Sequence, residues 1–191
     1  MEIKNYIKTY NNFFKLEVLS TFIKYLNSSH FQAAKIVGDA EGNEVQEDSI
    51  RKTKVYNFLP YSDSLTNIHW YNFLHLGFSN YIQRYKYDLQ IYDMPIAGIT
   101  DISALKYENS GFYNYHVDHV YTIPRTLSCI LLLNNDYEGG ELCFTDPSRK
   151  EEHIIKVEAN KLIIWPSNFL FPHKVNPVTK GIRYSVIAWA Y

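Results

Sequence analysis

The chain has 191 residues, of which 46% are hydrophobic and 20% charged, a balance that excludes a disordered polypeptide and suits one domain with a sizeable core. Its formal net charge of −1 argues against a dominant phosphate-binding surface, and so against nucleic acid as a partner. No run reaches the roughly 18 to 20 apolar residues of a membrane helix, and the opening MEIKNYIKTYNNFF lacks a signal-peptide core, so a cytoplasmic protein with no membrane partner is expected.

Residues 2–9 (EIKNYIKT) alternate well enough to predict a strand, and 16–26 (LEVLSTFIKYL) carries apolar residues at helical spacing. Segments 30–37 and 51–58 read as strands flanking GDAEGNEVQED, a polar, acidic stretch that cannot bury much surface. This acidic loop, 39–48, is expected to be mobile, either the solvated tip of a hairpin or a lid over substrate. Residues 62–88 open with an N-capping candidate and place Leu65, Ile68, Phe73, Leu76, Phe78 and Ile82 along a helical pattern, predicting one long helix or two shorter ones. His69 and His75 lie six apart there, share no helical face well, and are poor candidates for metal ligands.

Beyond Tyr92 the pattern changes to short strands: GITDISALKY, GFYNYHVD, TLSCILLLN, GGELCF, EEHIIKV, KLIIWP, FPHKV and GIRYSVIAWAY. Turn signals at Asn134-Asn135-Asp136, Glu138-Gly139-Gly140, Ala159-Asn160 and Lys180-Gly181 separate them. Seven or eight short strands in about a hundred residues indicate a sandwich or barrel. Cys129 and Cys143 fall in separate apolar strands, match neither a zinc spacing nor a disulfide framework, and are expected to be reduced core residues.

The chemistry concentrates in His116-Val117-Asp118, with His173 55 residues after Asp118 and Arg183 a further 10 on. In a strand, residues i and i+2 project to one face, so His116 and Asp118 would point together, and a folded-over sheet can bring His173 opposite them. Two imidazoles and a carboxylate suit Fe(II) and leave open coordination positions. Taken alone, the HVDH string also fits a polar strand end. In the last strand Arg183, Ser185, Ile187 and Trp189 share a face; an arginine there needs an anion, either an internal acid or a ligand carboxylate that its guanidinium grips bidentately with help from Ser185. His119 should point away from the pair and act as a surface or supporting residue. Tyr113 and Tyr115 would line the pocket or pack the sheet, and Asn109 and Asn114 are candidates to reach substrate.

YENSGFYNYHVDH, RTLSCILLLNNDYEGGELCF, KLIIWP and FPHKVNPVTKGIRYSVIAWAY resemble the Fe(II)- and 2-oxoglutarate-dependent oxygenases, in their prolyl 4-hydroxylase-like branch. The resemblance is close over 99–191 and extends in element order to the region before it. It implies a mainly β protein with flanking helices: a double-stranded β-helix core (jelly roll, cupin-like) at 91–191, supported by an N-terminal strand and helix layer at 1–90, in a single domain 1–191. It further implies that His116, Asp118 and His173 hold the iron, that Arg183 and Tyr107 bind the distal carboxylate of 2-oxoglutarate, and that Trp189 lies near the metal. Many members carry a second tyrosine where this chain has Leu132, a departure at the co-substrate contacts. The implied co-substrates are 2-oxoglutarate and O2, with ascorbate as a further cofactor the family allows. The implied reaction is hydroxylation of a prolyl or other residue in a peptide or protein, with release of succinate and CO2. Alternatives are a hydroxylase of a free amino acid or other small molecule, a non-catalytic cupin-like metal or ligand binder, and a zinc hydrolase; Arg183 has no role in the last two.

Overall fold

The structure is a computed structural model, and the residues it describes are 2–37, 43–119, 122, 124–148 and 150–191. The chain begins with a 3-10 turn at Ile3–Tyr6, strand β1 (Lys8–Asn11) and helix α1 (Leu16–Ser28). Short strands follow: β2 (Gln32–Ala33), β3 (Ile36–Val37), β4 (Glu44–Val45), β5 (Arg51–Lys52) and β6 (Lys54–Asn57). Helix α2 (Leu65–Leu89) leads to β7 (Ile99–Glu108), β8 (Phe112–His116), β9 (Leu127–Leu132), β10 (Glu138–Gly139) and β11 (Leu142–Thr145). The remaining strands are β12 (Glu152–Ile154), β13 (Lys161–Pro166), β14 (His173–Val175), β15 (Val178–Lys180) and β16 (Ile182–Ala190).

A major sheet of order β1-β13-β9-β16-β7-β6-β2 packs against a minor sheet of order β12-β11-β14-β8-β5, making the jelly roll of a double-stranded β-helix with helices on its outer side. The central strands explain their own composition. Along β9, Leu127, Cys129 and Leu131 face the helices while Ile130 and Leu132 face the minor sheet; β13 divides in the same way, with Leu162 and Ile164 against Ile163 and Trp165. Strands covered on both faces read as continuous apolar runs rather than as alternation. The outer cluster adds Phe22, Leu26, Trp70, Leu74, Phe78 and Ile82 from the two helices. The N-terminal segment also supplies β1, β2 and β6 to the major sheet and β5 to the minor one.

Helix α2 is one helix. Ser64 caps it by accepting from the Asn67 backbone N–H at 3.3 Å, and Gln90 ends it in the left-handed region at φ 56°. Its buried face runs through Asn67, Trp70, Leu74, Phe78, Ile82 and Tyr85, whereas Leu65 and Leu76 are exposed; the helix pattern in the sequence was right in kind but off in phase, because polar Asn67 and amphipathic Tyr85 belong to the inner face. Asn67 is buried because its amide accepts from Leu59 N at 2.8 Å and donates to Tyr56 Oη at 3.0 Å and Asn57 O at 3.1 Å, tying the helix start to β6.

Other expectations change at element ends. Residues 2–9 are a 3-10 turn followed by β1, not one strand; the 30–37 and 51–58 strands each divide into two; and β15, which pairs with β10, was not foreseen. The acidic stretch 39–48, expected as a loop, contains strand β4, whose Glu44 and Val45 pair antiparallel with β3; residues 39–42 of that stretch lie outside the described residues. No described helix is long and apolar enough to cross a membrane.

Candidate metal centre and anion pocket

β8 ends at His116, so Asp118 lies just past the strand rather than within it. His173, first residue of β14, sits directly across from His116 in the minor sheet. Nε2 of His116 lies 3.5 Å from Asp118 Oδ1, and Nε2 of His173 lies 3.5 Å from Asp118 Oδ2. Among the described residues this is the one group of three such side chains whose ligand atoms all lie within 4.8 Å of one another.

The donors are set for a cation. Nδ1 of His116 is 2.8 Å from the Asn114 carbonyl oxygen and Nδ1 of His173 is 3.1 Å from that of Phe171, which places the ring proton on Nδ1 and turns the Nε2 lone pairs inward. Burial alone would raise the Asp118 carboxyl, but His173, His116 and the Ser128 hydroxyl outweigh it and hold the group well below the usual carboxylate range. Burial, with His116 beside it, pushes His173 down to about 4 against the opposing pull of Asp118, so its imidazole is neutral near pH 7. The residues fit a divalent transition metal with open positions.

The triad lines a cavity of about 720 Å3 that Tyr107, Ile130, Leu142, Val175 and Trp165 also line. Arg183 is fully buried beside it, with its guanidinium carbon 4.9 Å from the centre of the Tyr107 ring. Nη1 donates to Ser185 Oγ at 2.9 Å, while Nε and Nη2 have no partner. No carboxylate of the described residues pairs with it. Tyr107 lies opposite Arg183 on β7, and Leu132 is buried opposite Ser185 on β9.

The remaining candidates divide. Tyr113 stacks on His116 with ring centres 3.6 Å apart, and burial pushes its phenol up to about 12. Trp189 lines the cavity. Tyr115 turns instead to Glu152 at 2.5 Å, Asn114 donates to Ser49 O at 3.0 Å, and Asn109 is exposed. His119 is exposed and bonds the Arg125 backbone, apart from the triad; His69 and His75 sit on α2 among aromatic rings. Both cysteines are free and buried.

Several site residues went unnoticed in the sequence. Ser128 donates to Asp118 Oδ2 at 2.6 Å and pairs with Ser167 Oγ at 2.8 Å; a lone serine in an apolar run was the available signal. Arg125 lies 3.6 Å over the Trp189 ring and 3.3 Å from Asp101. Trp165 packs edge-on against His173 at 4.9 Å with its indole N–H buried and unpartnered. Nothing local marked these two, since their neighbours come from other strands.

Residues 102–191 match the family described as the 2OG-Fe(II) oxygenase superfamily. A PKHD-type hydroxylase of Herminiimonas arsenicoxydans is 43% identical over 94 residues, covering 44% of this chain and 40% of that protein; one from Xylella fastidiosa is 39% identical over 98 residues, covering 44% and 41%. The chain therefore spans about two fifths of the length of the curated relatives it matches. Among solved structures, a Trichoplax adhaerens prolyl hydroxylase in complex with a hypoxia inducible factor oxygen degradation domain peptide superimposes with a TM-score of 0.77 at 21% identity, covering 98% of this chain and 84% of that one. A Pseudomonas putida prolyl-4-hydroxylase gives 0.70 at 16% identity, covering 97% and 92%.

Proposed function

We propose, from the match of residues 102–191 to the 2OG-Fe(II) oxygenase superfamily, that this chain is an Fe(II)- and 2-oxoglutarate-dependent dioxygenase that hydroxylates a prolyl residue of a peptide or protein, with release of succinate and CO2. The observation that carries the reading is Arg183, buried beside the cavity that holds the triad and without an acidic partner among the described residues. A guanidinium left alone in an apolar interior is costly, and a ligand carboxylate removes that cost. A dicarboxylic 2-oxo acid would suit this arrangement: Arg183, with Ser185 and Tyr107 beside it, would hold the distal carboxylate, and the triad side of the site would take the oxo acid end.

His116 Nε2, His173 Nε2 and the Asp118 carboxylate would hold the metal. Fe(II), when bound, supplies O2 activation and couples decarboxylation of the co-substrate to hydroxylation. The chain positions and shields: Ile130, Leu142 and Val175 keep water from the co-substrate, while Trp189, Tyr113 and Arg125 orient the substrate over the metal. A peptide substrate is favoured by the peptide complex of the Trichoplax relative in structure.

Anaerobic titration with Fe(II) and 2-oxoglutarate tests the reading through the visible charge-transfer band of the chelate, expected for the wild type, absent in His116→Ala and weakened in Arg183→Ala. Succinate release with proline-containing peptides then tests the substrate; turnover only with free amino acids or other small molecules would displace the peptide assignment. Metal binding without a band would point to a non-catalytic barrel or a zinc hydrolase.

A further inference from the structure

β9 offers no hydroxyl to Arg183, because the residue opposite Ser185 is Leu132, yet a phenol reaches Arg183 from another part of the chain. Tyr137 lies in the turn between β9 and β10. Its ring and the Arg183 side chain close on the same glycine: a Cβ at Gly140 would stand 2.9 Å from Arg183 Cδ and 3.2 Å from Tyr137 Cε2. The Tyr137 hydroxyl is buried against the Arg183 guanidinium and its own proton has no acceptor among the described residues, while Nε and Nη2 of Arg183 also lack a well-formed partner.

Buried polar atoms left unsatisfied cost about 1–3 kcal/mol each, so a cluster of them marks where a ligand belongs. The chemistry of these atoms states which kind. A guanidinium only donates. Burial pushes the Tyr137 phenol up, opposed by the guanidinium beside it, so it remains an O–H donor at neutral pH. Ser185 Oγ already accepts from Arg183 Nη1, which leaves its own proton to give. Glu141 and Asp136 are near enough to push the Tyr137 phenol up as well, but no carboxylate of the described residues pairs with Arg183, so these donors around one positive charge select an anion with several acceptor lone pairs.

We propose that Tyr137 is a co-substrate-binding residue whose hydroxyl donates to the distal carboxylate of 2-oxoglutarate, serving in place of the hydroxyl that β9 lacks at Leu132. The inference rests on the function proposed above and adds a residue to its anion pocket. It also gives a reason for the glycine that follows β10: Gly140 adopts a φ of +67°, and Tyr137 and Arg183 close on the space that a side chain there would fill.

The test compares wild type with Tyr137→Phe, which removes only the hydroxyl and should leave the unfolding temperature within a few degrees. Each is loaded anaerobically with Fe(II) and titrated by its chelate band with 2-oxoglutarate and with 2-oxobutyrate, which keeps the chelating end but lacks the distal carboxylate. The expected result is about a tenfold or greater loss of 2-oxoglutarate affinity in Tyr137→Phe, in line with a hydrogen bond to a charged acceptor, with 2-oxobutyrate binding unchanged. Unchanged 2-oxoglutarate affinity overturns the proposal while the wild-type preference for the dicarboxylate upholds the parent reading. Equal losses for both acids overturn it as well, since the damage is then not at the carboxylate. A wild type that binds 2-oxoglutarate no better than 2-oxobutyrate overturns the anion pocket itself, and Tyr137 with it.

Discussion

Asp118 has to present its carboxylate to two imidazoles from a position just past the end of β8, where no sheet pairing fixes it. Ser128 does so from the neighbouring sheet, through a 2.6 Å hydrogen bond backed by Ser167. Groups that orient ligands without touching the metal typically change affinity by about 10–100-fold, so Ser128→Ala should weaken Fe(II) binding about tenfold in a competition with a chelator of known strength. Equal affinity would mean that the backbone holds Asp118 by itself. Arg183 invites a sharper substitution than alanine. Arg183→Lys keeps the charge but loses the planar fork, and it cannot donate to Ser185 and a carboxylate in the same geometry. We expect it to keep Fe(II) affinity and to lose about tenfold or more in 2-oxoglutarate affinity; a lysine variant equal to wild type would show that charge alone recruits the co-substrate.

At the scale of elements, Gly140 joins the turn to the pocket. Its φ of +67° disfavours any side chain, and a Cβ would also press on Arg183 Cδ and Val178 Cγ2, both at 2.9 Å. Gly140→Ala should cost about 1–2 kcal/mol of backbone strain, lowering the unfolding midpoint by several degrees, and weaken 2-oxoglutarate binding while leaving Fe(II) affinity intact. Loss of both affinities together would indicate a general collapse of the minor sheet. The same element shows where sequence reading reaches its limit. Glu138-Gly139-Gly140, read as a turn, instead opens with strand β10 (Glu138–Gly139), whose partner β15 is remote in sequence; Ala159-Asn160 announced a turn, and HVD, His173 and Arg183 announced a site, because each rests on a local pattern or a fixed spacing. The apolar runs of β9 and β13 were equally legible as strands. Tyr137, Arg125 and Trp165 carried no such mark: what distinguishes them is an atom on another strand. The phase of α2 was missed for a related reason, since Asn67 is buried only because Leu59, Asn57 and Tyr56 satisfy its amide, partners that no helical period reveals.

Across the whole molecule, the site ties the two sheets together. Asp118 and the two histidines come from the minor sheet or its edge, while Ser128 and Trp165 come from the major one, so protonation at the site bears on the stability of the sandwich. His173 has an ordinary value of 6.5 and is pushed down to about 4 in the folded chain. The unfolded chain therefore takes up this proton first, and stability must fall as pH drops from about 6.5 towards about 4. Asp118, held below its ordinary value of 3.8, contributes stability above that value and loses it only at still lower pH, so the two groups act in the same direction in successive windows. Metal-free protein should accordingly show a nearly constant thermal midpoint from about pH 8 to pH 7 and a progressive fall below about pH 6.5. His173→Gln, which cannot take up the proton, should flatten the fall between about pH 6.5 and pH 4. Bound metal stabilises the folded chain by mass action and competes with protons for the same Nε2 atoms, so the gap between metal-loaded and metal-free midpoints should narrow over that window. Identical pH profiles for metal-free wild type and His173→Gln would place the acid sensitivity elsewhere than in this buried imidazole.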